Sequence, residues 1–163
     1  MRWLAWFCAL NAKLSHWVLR VACLCLAGLG VVVVYGVVMR YAFNNPPPFV
    51  EQVALMLVIC VAMFGAAAGV HDVGHIGLDS VVKLLPAKAR LVCKAACELL
   101  VMGFALLLLS GGTEMAWSTW SNMIPTLGVS EALRYVPPIL AGFLILLFAL
   151  QHLLLLFANP NKA

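Results

Sequence analysis

Four stretches of this chain run for 19 residues or more with almost no charge, and that pattern restricts the fold more than any other feature. Val21 to Met39 lies between Arg20 and Arg40, and Gln52 to Val70 between Glu51 and His71. Ala95 to Thr113 carries one charge, Glu98, near its start, and Tyr135 to Phe157 is bounded by Arg134 and Lys162. At about 1.5 Å per residue a helix of this length crosses a hydrocarbon core of about 30 Å. Backbone amides in lipid must be satisfied within the segment, and runs without alternating polar positions are helices rather than barrel strands. The expectation is an all-α integral membrane protein, one membrane domain over residues 1–163, with spans near 19–40, 49–71, 90–114 and 135–157. Composition agrees: 65% of residues are hydrophobic and 10% charged, whereas soluble domains have about 45–50% and about 25%. An ordinary soluble enzyme, a disordered regulator and a disulfide scaffold are thereby excluded. The net charge of +4 is scattered among apolar runs, so it suggests no nucleic-acid partner.

Lysine and arginine are retained on the cytoplasmic side of spanning helices. Arg2, Lys13 and Arg20, then Lys83, Lys88, Arg90 and Lys94, then Lys162 fall on one side of a four-span chain, with only Arg40 and Arg134 on the other. Both termini are expected in the cytoplasm, with the N-terminus retained rather than cleaved. Residues 3–17 place Trp3, Phe7, Leu10, Leu14 and Trp17 at helical spacing, with Arg2, Asn11, Lys13 and His16 largely elsewhere. That predicts an amphipathic helix in the interface, with Trp3, Trp6 and Trp17 as anchors, although a continuation of the first span fits as well. Trp117 and Trp120 mark the opposite interface. The link from Asp72 to Arg90 reads as a short amphipathic helix on the cytoplasmic surface, followed by Pro86 opening the third long helix. Pro46, Pro47 and Pro48 stop one helix and open the next, with Glu51 near its positive end.

No residue constellation suggests catalysis. Cys23 and Cys25 point apart on a helix, and Cys93 and Cys97 share a face without further ligands at zinc spacing, so the cysteines read as small apolar packing residues. His71, Asp72, His75 and Asp79 form the densest polar cluster. Gly74 and Gly77 weaken the helix that a metal pair would need, which favours bracing of a turn and no metal site. His71 and His152 lie toward the same ends of their helices, so an axial haem pair in a respiratory membrane anchor stays open. Glu98 has Lys94 one turn before it, a local pair able to reach the interface without ion transport. Gly65 and Gly69, four residues apart, read as a helix-packing site for this chain or another.

Arg40-Tyr41-Ala42-Phe43-Asn44-Asn45-Pro46 through Glu51 resembles the hallmark of the small membrane subunit of tripartite ATP-independent periplasmic (TRAP) transporters, the DctQ-like family. Phe49 stands where tryptophan is more usual, and Glu51-Gln52 where two acids often stand. His75-Ile76-Gly77-Leu78-Asp79 is similar to a second family pattern, and Leu127-Gly128-Val129, Tyr135, Pro137 and Gly142 to a weaker one. The resemblance covers nearly the whole chain. It implies a partner for a large sodium-coupled elevator subunit, on a separate chain, and for a periplasmic protein that delivers an organic acid such as a C4-dicarboxylate or sialic acid. It implies no enzyme activity and no cofactor. Arg40, Tyr41, Phe43, Asn44, Pro46 and Glu51 would fix the first turn or meet a partner, Arg40 and Glu51 pairing or bonding Asn44. His75 and Asp79 would hold the cytoplasmic turn or touch the large subunit. The alternative is the respiratory-dehydrogenase anchor, with or without b-haem.

Overall fold

A computed structural model describes residues 2–45, 47–73, 87–126 and 128–158. Within them α1 spans Arg2–Tyr41, α2 Phe49–Val73, α3 Ala87–Ser118 and α4 Val136–Ala158. All four are long and apolar enough to cross a membrane, so the chain is an all-α multi-pass membrane protein. The link holding His75, Gly77, Asp79 and Pro86 lies outside the described residues, as do Pro46 and Leu127. The expectations placed on them, including the amphipathic link helix, lie there too.

The expected boundary between an interfacial helix and the first span is absent. α1 runs unbroken for 40 residues, about 60 Å at the helical rise. The reason is local: α1 has no proline, and its first glycine is Gly28, so nothing interrupts its hydrogen-bond ladder near residue 18. A helix twice the thickness of the hydrocarbon core must tilt or project beyond it. In its first turns Trp6, Leu10 and Trp17 are exposed together with Lys13 and His16, Leu14 packs partly against the core, and Asn11 and Ser15 turn into the bundle.

α4 is the hub. It packs on α3, on α2 and more lightly on α1, and α1 packs mainly along α2. A third of its most apolar stretch is buried (33%), against 6% for α1 and 11% for α2 and α3. The core combines Ala67, Ala68, Ala105 and Ala141 with Leu144, Ile145 and Phe148, small residues letting the backbones approach around a few large ones. Antiparallel α1 and α2 keep register over their length: Ser15 meets Asp72, the Cys25 thiol contacts Cys60, and Gly36 faces Val50.

Close helix approach does not fall at Gly65 and Gly69, where an added Cβ would meet no atom within 4 Å. It falls at Gly36, 2.7 Å from Val50 Cγ1, at Gly112, 2.8 Å from Ile139 Cγ1, and at Gly142, 3.2 Å from the Ala105 carbonyl oxygen, each measured from that Cβ. Four-residue spacing marks a small face on α2, but the rotation of the helix turns the Ala67–Ala68 side inward instead.

α1 ends with Asn44 in the left-handed region at φ 51°. The Asn45 amide donates to the Met39 carbonyl at 3.1 Å, folding the chain back over the helix end. Asparagine tolerates this conformation better than other non-glycine residues. Asn44→Val is expected to cost about 1 kcal/mol and Asn44→Gly close to nothing, read from denaturant unfolding in mixed micelles.

The last link is more ordered than its glycine and proline suggest. Met123–Ile124 pairs antiparallel with Val129–Ser130, and a 3-10 helix, Glu131–Tyr135, leads into α4. Gly128 supplies φ 65° at the turn. Ser130 Oγ accepts from the Ala132 amide at 3.2 Å and donates to the Trp120 carbonyl at 2.8 Å.

Candidate functional site

Asn11, Ser15, Val18 and Ala22 recur at intervals of four, three and four, so they share one face of α1, and all are buried. This face begins a polar seam at the end of the bundle where the described chain starts and finishes. Asn11 Nδ2 donates to Gln151 Oε1 of α4 at 2.6 Å, and Ser15 Oγ donates to Asp72 Oδ1 of α2 at 3.5 Å. The same Asp72 oxygen is 2.8 Å from His71 Nδ1. The His71 ring stands edge-on to Phe148, centroids 5.0 Å apart, and 6.3 Å from the ring of His152. His152 Nδ1 is in turn 3.2 Å from Glu98 Oε1 of α3. Side chains from all four helices thus meet in one continuous chain of contacts.

Glu98 is the most consequential member, because its side chain is only 4% exposed. A carboxyl group withdrawn from water is costly without a polar partner. Its inward turn to His152 is a contact across helices that the local Lys94–Glu98 spacing does not reveal. His71 and His152, the candidates for a haem pair, each have Nδ1 against a carboxylate. Among the described residues no group of three or more metal-ligating side chains converges. The seam joins helices by the Asn11–Gln151 and Ser15–Asp72 hydrogen bonds and by the close approach of His152 to Glu98, an arrangement that can tie the helices together.

At the opposite end Arg134 bridges elements. Its Nη2 donates to Gln52 Oε1 of α2 at 2.9 Å and its Nη1 to Glu131 Oε1 at 3.4 Å. Gln52, in the hallmark position often taken by an acid, therefore ties the first turn of α2 to the approach to α4. Arg40, Tyr41 and Glu51 line one cleft between α1 and α2 with a volume of about 290 Å³. Arg40 and Glu51 are exposed and do not pair with each other, and neither bonds Asn44. Phe43 is exposed, and so are Trp6, Trp17, Trp117 and Trp120; the Trp3 side chain lies outside the described residues.

The sequence offered one overlooked sign of the seam. Asn11 and Ser15 continue the spacing of small Ala22 within a helix that has no break, which marks an inward face rather than a wetted one. Gln151 and the His152–Glu98 contact carry no comparable local sign, since their partners are more than 50 residues away.

The family model of the DctQ component of tripartite ATP-independent periplasmic transporters matches residues 29–159. A Haemophilus influenzae protein described as a TRAP transporter small permease protein is 25% identical over 137 residues, covering 82% of this chain and 85% of that one. A second protein of that organism with the same description is 21% identical over 121 residues, 72% of this chain and 73% of its own. The C4-dicarboxylate TRAP transporter small permease protein DctQ of Vibrio cholerae is 32% identical over 92 residues, which are 54% of this chain and 36% of that protein.

Proposed function

Because the chain belongs to the DctQ component family of tripartite ATP-independent periplasmic transporters, we infer that it is the fixed brace of the transporter, holding a large sodium-coupled elevator subunit in the membrane during organic-acid uptake. Family membership makes it a small permease subunit and implies a large membrane subunit and a binding protein as its partners. The observation that carries the bracing role is the seam: polar side chains of four helices are engaged with one another at Asn11–Gln151, Ser15–Asp72 and Glu98–His152. A brace must resist lateral load, and cross-linking all four helices near one end stiffens the bundle.

The orientation follows from the basic residues, eight on the side of the termini against two, so both termini lie in the cytoplasm and the Arg40 and Arg134 end faces the periplasm. Arg40, Tyr41, Phe43 and Glu51 then stand on the periplasmic side with charges available to a partner, either the large subunit or the binding protein. Pro46, His75 and Asp79, the remaining residues of the two family patterns, are assigned to the same partner-binding role. The open face at Gly65 and Gly69 suits close approach by a helix of the large subunit. The substrate is an organic acid chosen by the binding protein; the name of the Vibrio cholerae relative supports a dicarboxylate or a similar carboxylate. The protein acts without catalysis or cofactor of its own.

Single replacements Arg40→Ala and Glu51→Ala test this reading when uptake and co-purification of the large subunit are measured together. The expected outcome is lost uptake, with reduced recovery of the large subunit, while the chain itself accumulates normally in the membrane. Unchanged uptake and recovery for both variants would remove the partner role from this cleft.

A further inference from the structure

Lys13, His16 and Arg20 recur at three- and four-residue spacing on α1, and all three are exposed, so they form one basic stripe. Trp17 stands among them, its ring centroid 5.3 Å from the Arg20 guanidinium carbon. α1 contains no acidic residue, and no described carboxylate pairs with any of the three.

The register of α1 against α2 places this stripe in depth. With Ser15 opposite Asp72 and Cys25 opposite Cys60, Arg20 lies abreast of Ala66, about 9 Å along the helix from the level of Asp72. Its neighbours Leu19, Val21 and Leu24 are exposed apolar side chains. An exposed cation at that depth reaches back toward the interface for an anion.

Beside the stripe a wholly apolar slot of about 250 Å³ opens between α1, α2 and α4, lined by Leu14, Trp17, Val21, Leu140, Phe143 and others. Trp17 belongs to both features. Side chains on a helix lean toward its N-terminus, so Arg20 points toward the end bearing Lys13 while the slot continues inward to Leu140. The order is therefore basic groups, then aromatic ring, then apolar slot, the same order in which a phospholipid presents headgroup, glycerol and acyl chain. A helix with its side chains is about 10 Å wide, too broad for the slot, whereas an acyl chain enters it.

We propose that the Lys13–His16–Arg20 stripe and the adjoining slot hold one anionic phospholipid, its phosphate on Arg20 and one acyl chain beside Val21 and Phe143. With no paired carboxylate among the described residues, the stripe carries net positive charge, which favours phosphatidylglycerol over a zwitterionic headgroup. This site stands apart from the bracing role, and its test reads lipid rather than uptake.

The test uses the full chain extracted together with the large subunit, exchanged into detergent, titrated with phosphatidylglycerol and weighed by native mass spectrometry. One tightly held phosphatidylglycerol is expected, and diacylglycerol with the same chains should not displace it. Arg20→Gln should weaken binding about tenfold through loss of the charge-assisted contact, with Arg20→Lys retaining most of it. Leu140→Trp, which fills the slot and leaves every basic residue in place, should weaken it as well. Lipid retention by the Arg20→Gln and Leu140→Trp variants equal to that of the unaltered chain overturns the proposal, as does competition by diacylglycerol equal to that by phosphatidylglycerol. So does release of the large subunit by Arg20→Gln with lipid binding unchanged, since that identifies the stripe as a protein interface.

Discussion

Replacing His152 with leucine is expected to destabilise the bundle by about 3 kcal/mol, the usual cost of removing one partner from a buried ionisable pair. Leucine matches much of the imidazole volume, so the loss comes from the Glu98 carboxyl, which is nearly fully enclosed and meets His152 at 3.2 Å. The double variant Glu98→Met/His152→Leu should recover most of that loss, because two apolar side chains at this position need no polar partner. Unfolding in mixed micelles, followed by far-UV circular dichroism, reads both values. A double variant as unstable as the single one would show that the two side chains do not act as a pair. By comparison, Asn11→Ala removes a neutral bond to Gln151 of the kind worth about 0.6–2 kcal/mol between membrane helices. The ordering of these losses distinguishes a carboxylate-centred seam from a set of equivalent hydrogen bonds.

Gly142→Leu is expected to have an effect of similar or greater size, about 3 kcal/mol. Even a bare Cβ at this position would lie 3.2 Å from the Ala105 carbonyl oxygen, from Leu108 Cβ and from Leu109 Cγ. Because one of those atoms is backbone, a leucine cannot be accommodated by a rotamer change and must push α3 away from α4. Gly65→Leu makes the informative contrast. Its Cβ meets nothing within 4 Å, so the isolated fold should change by less than about 0.5 kcal/mol, as for a surface position. If the large subunit approaches that face, the same variant should nevertheless reduce its co-purification. A Gly65→Leu chain that unfolds as readily as Gly142→Leu would contradict the packing described for α2.

Much of the fold is legible in the sequence. The four long apolar runs became four helices, and the hallmark after the first of them pointed to the family that the comparisons establish. The stop between the first two helices was legible from the run of prolines, whereas the left-handed Asn44 that folds the chain back over the end of α1 emerged only in the structure. Other readings were plausible locally and altered by packing. Gly65 and Gly69 have the spacing of a close-approach motif, yet the internal contacts fall at Gly36, Gly112 and Gly142. Which small face is used depends on how each helix is rotated about its axis, and a single helix does not encode its neighbour's position.

The amphipathic pattern of the first turns shows the same limit in another form. Helical spacing groups Trp3, Phe7, Leu10, Leu14 and Trp17 apart from Asn11, Lys13 and His16. In the bundle Asn11 and Ser15 bond Gln151 and Asp72, while Lys13 and His16 stay exposed beside Leu10 and Trp17, and Leu14 packs partly against the core. The number of spans, the helical class and the family follow from the sequence by itself, because run length against bilayer thickness is a property measured along one chain. The polar seam, the true close-approach glycines and the unbroken continuation of α1 into the bundle are decided by the tertiary structure. In lipid an outward apolar face carries no penalty, so helices are selected by polar partners and by shape at distant positions, and those are set only when four helices come together.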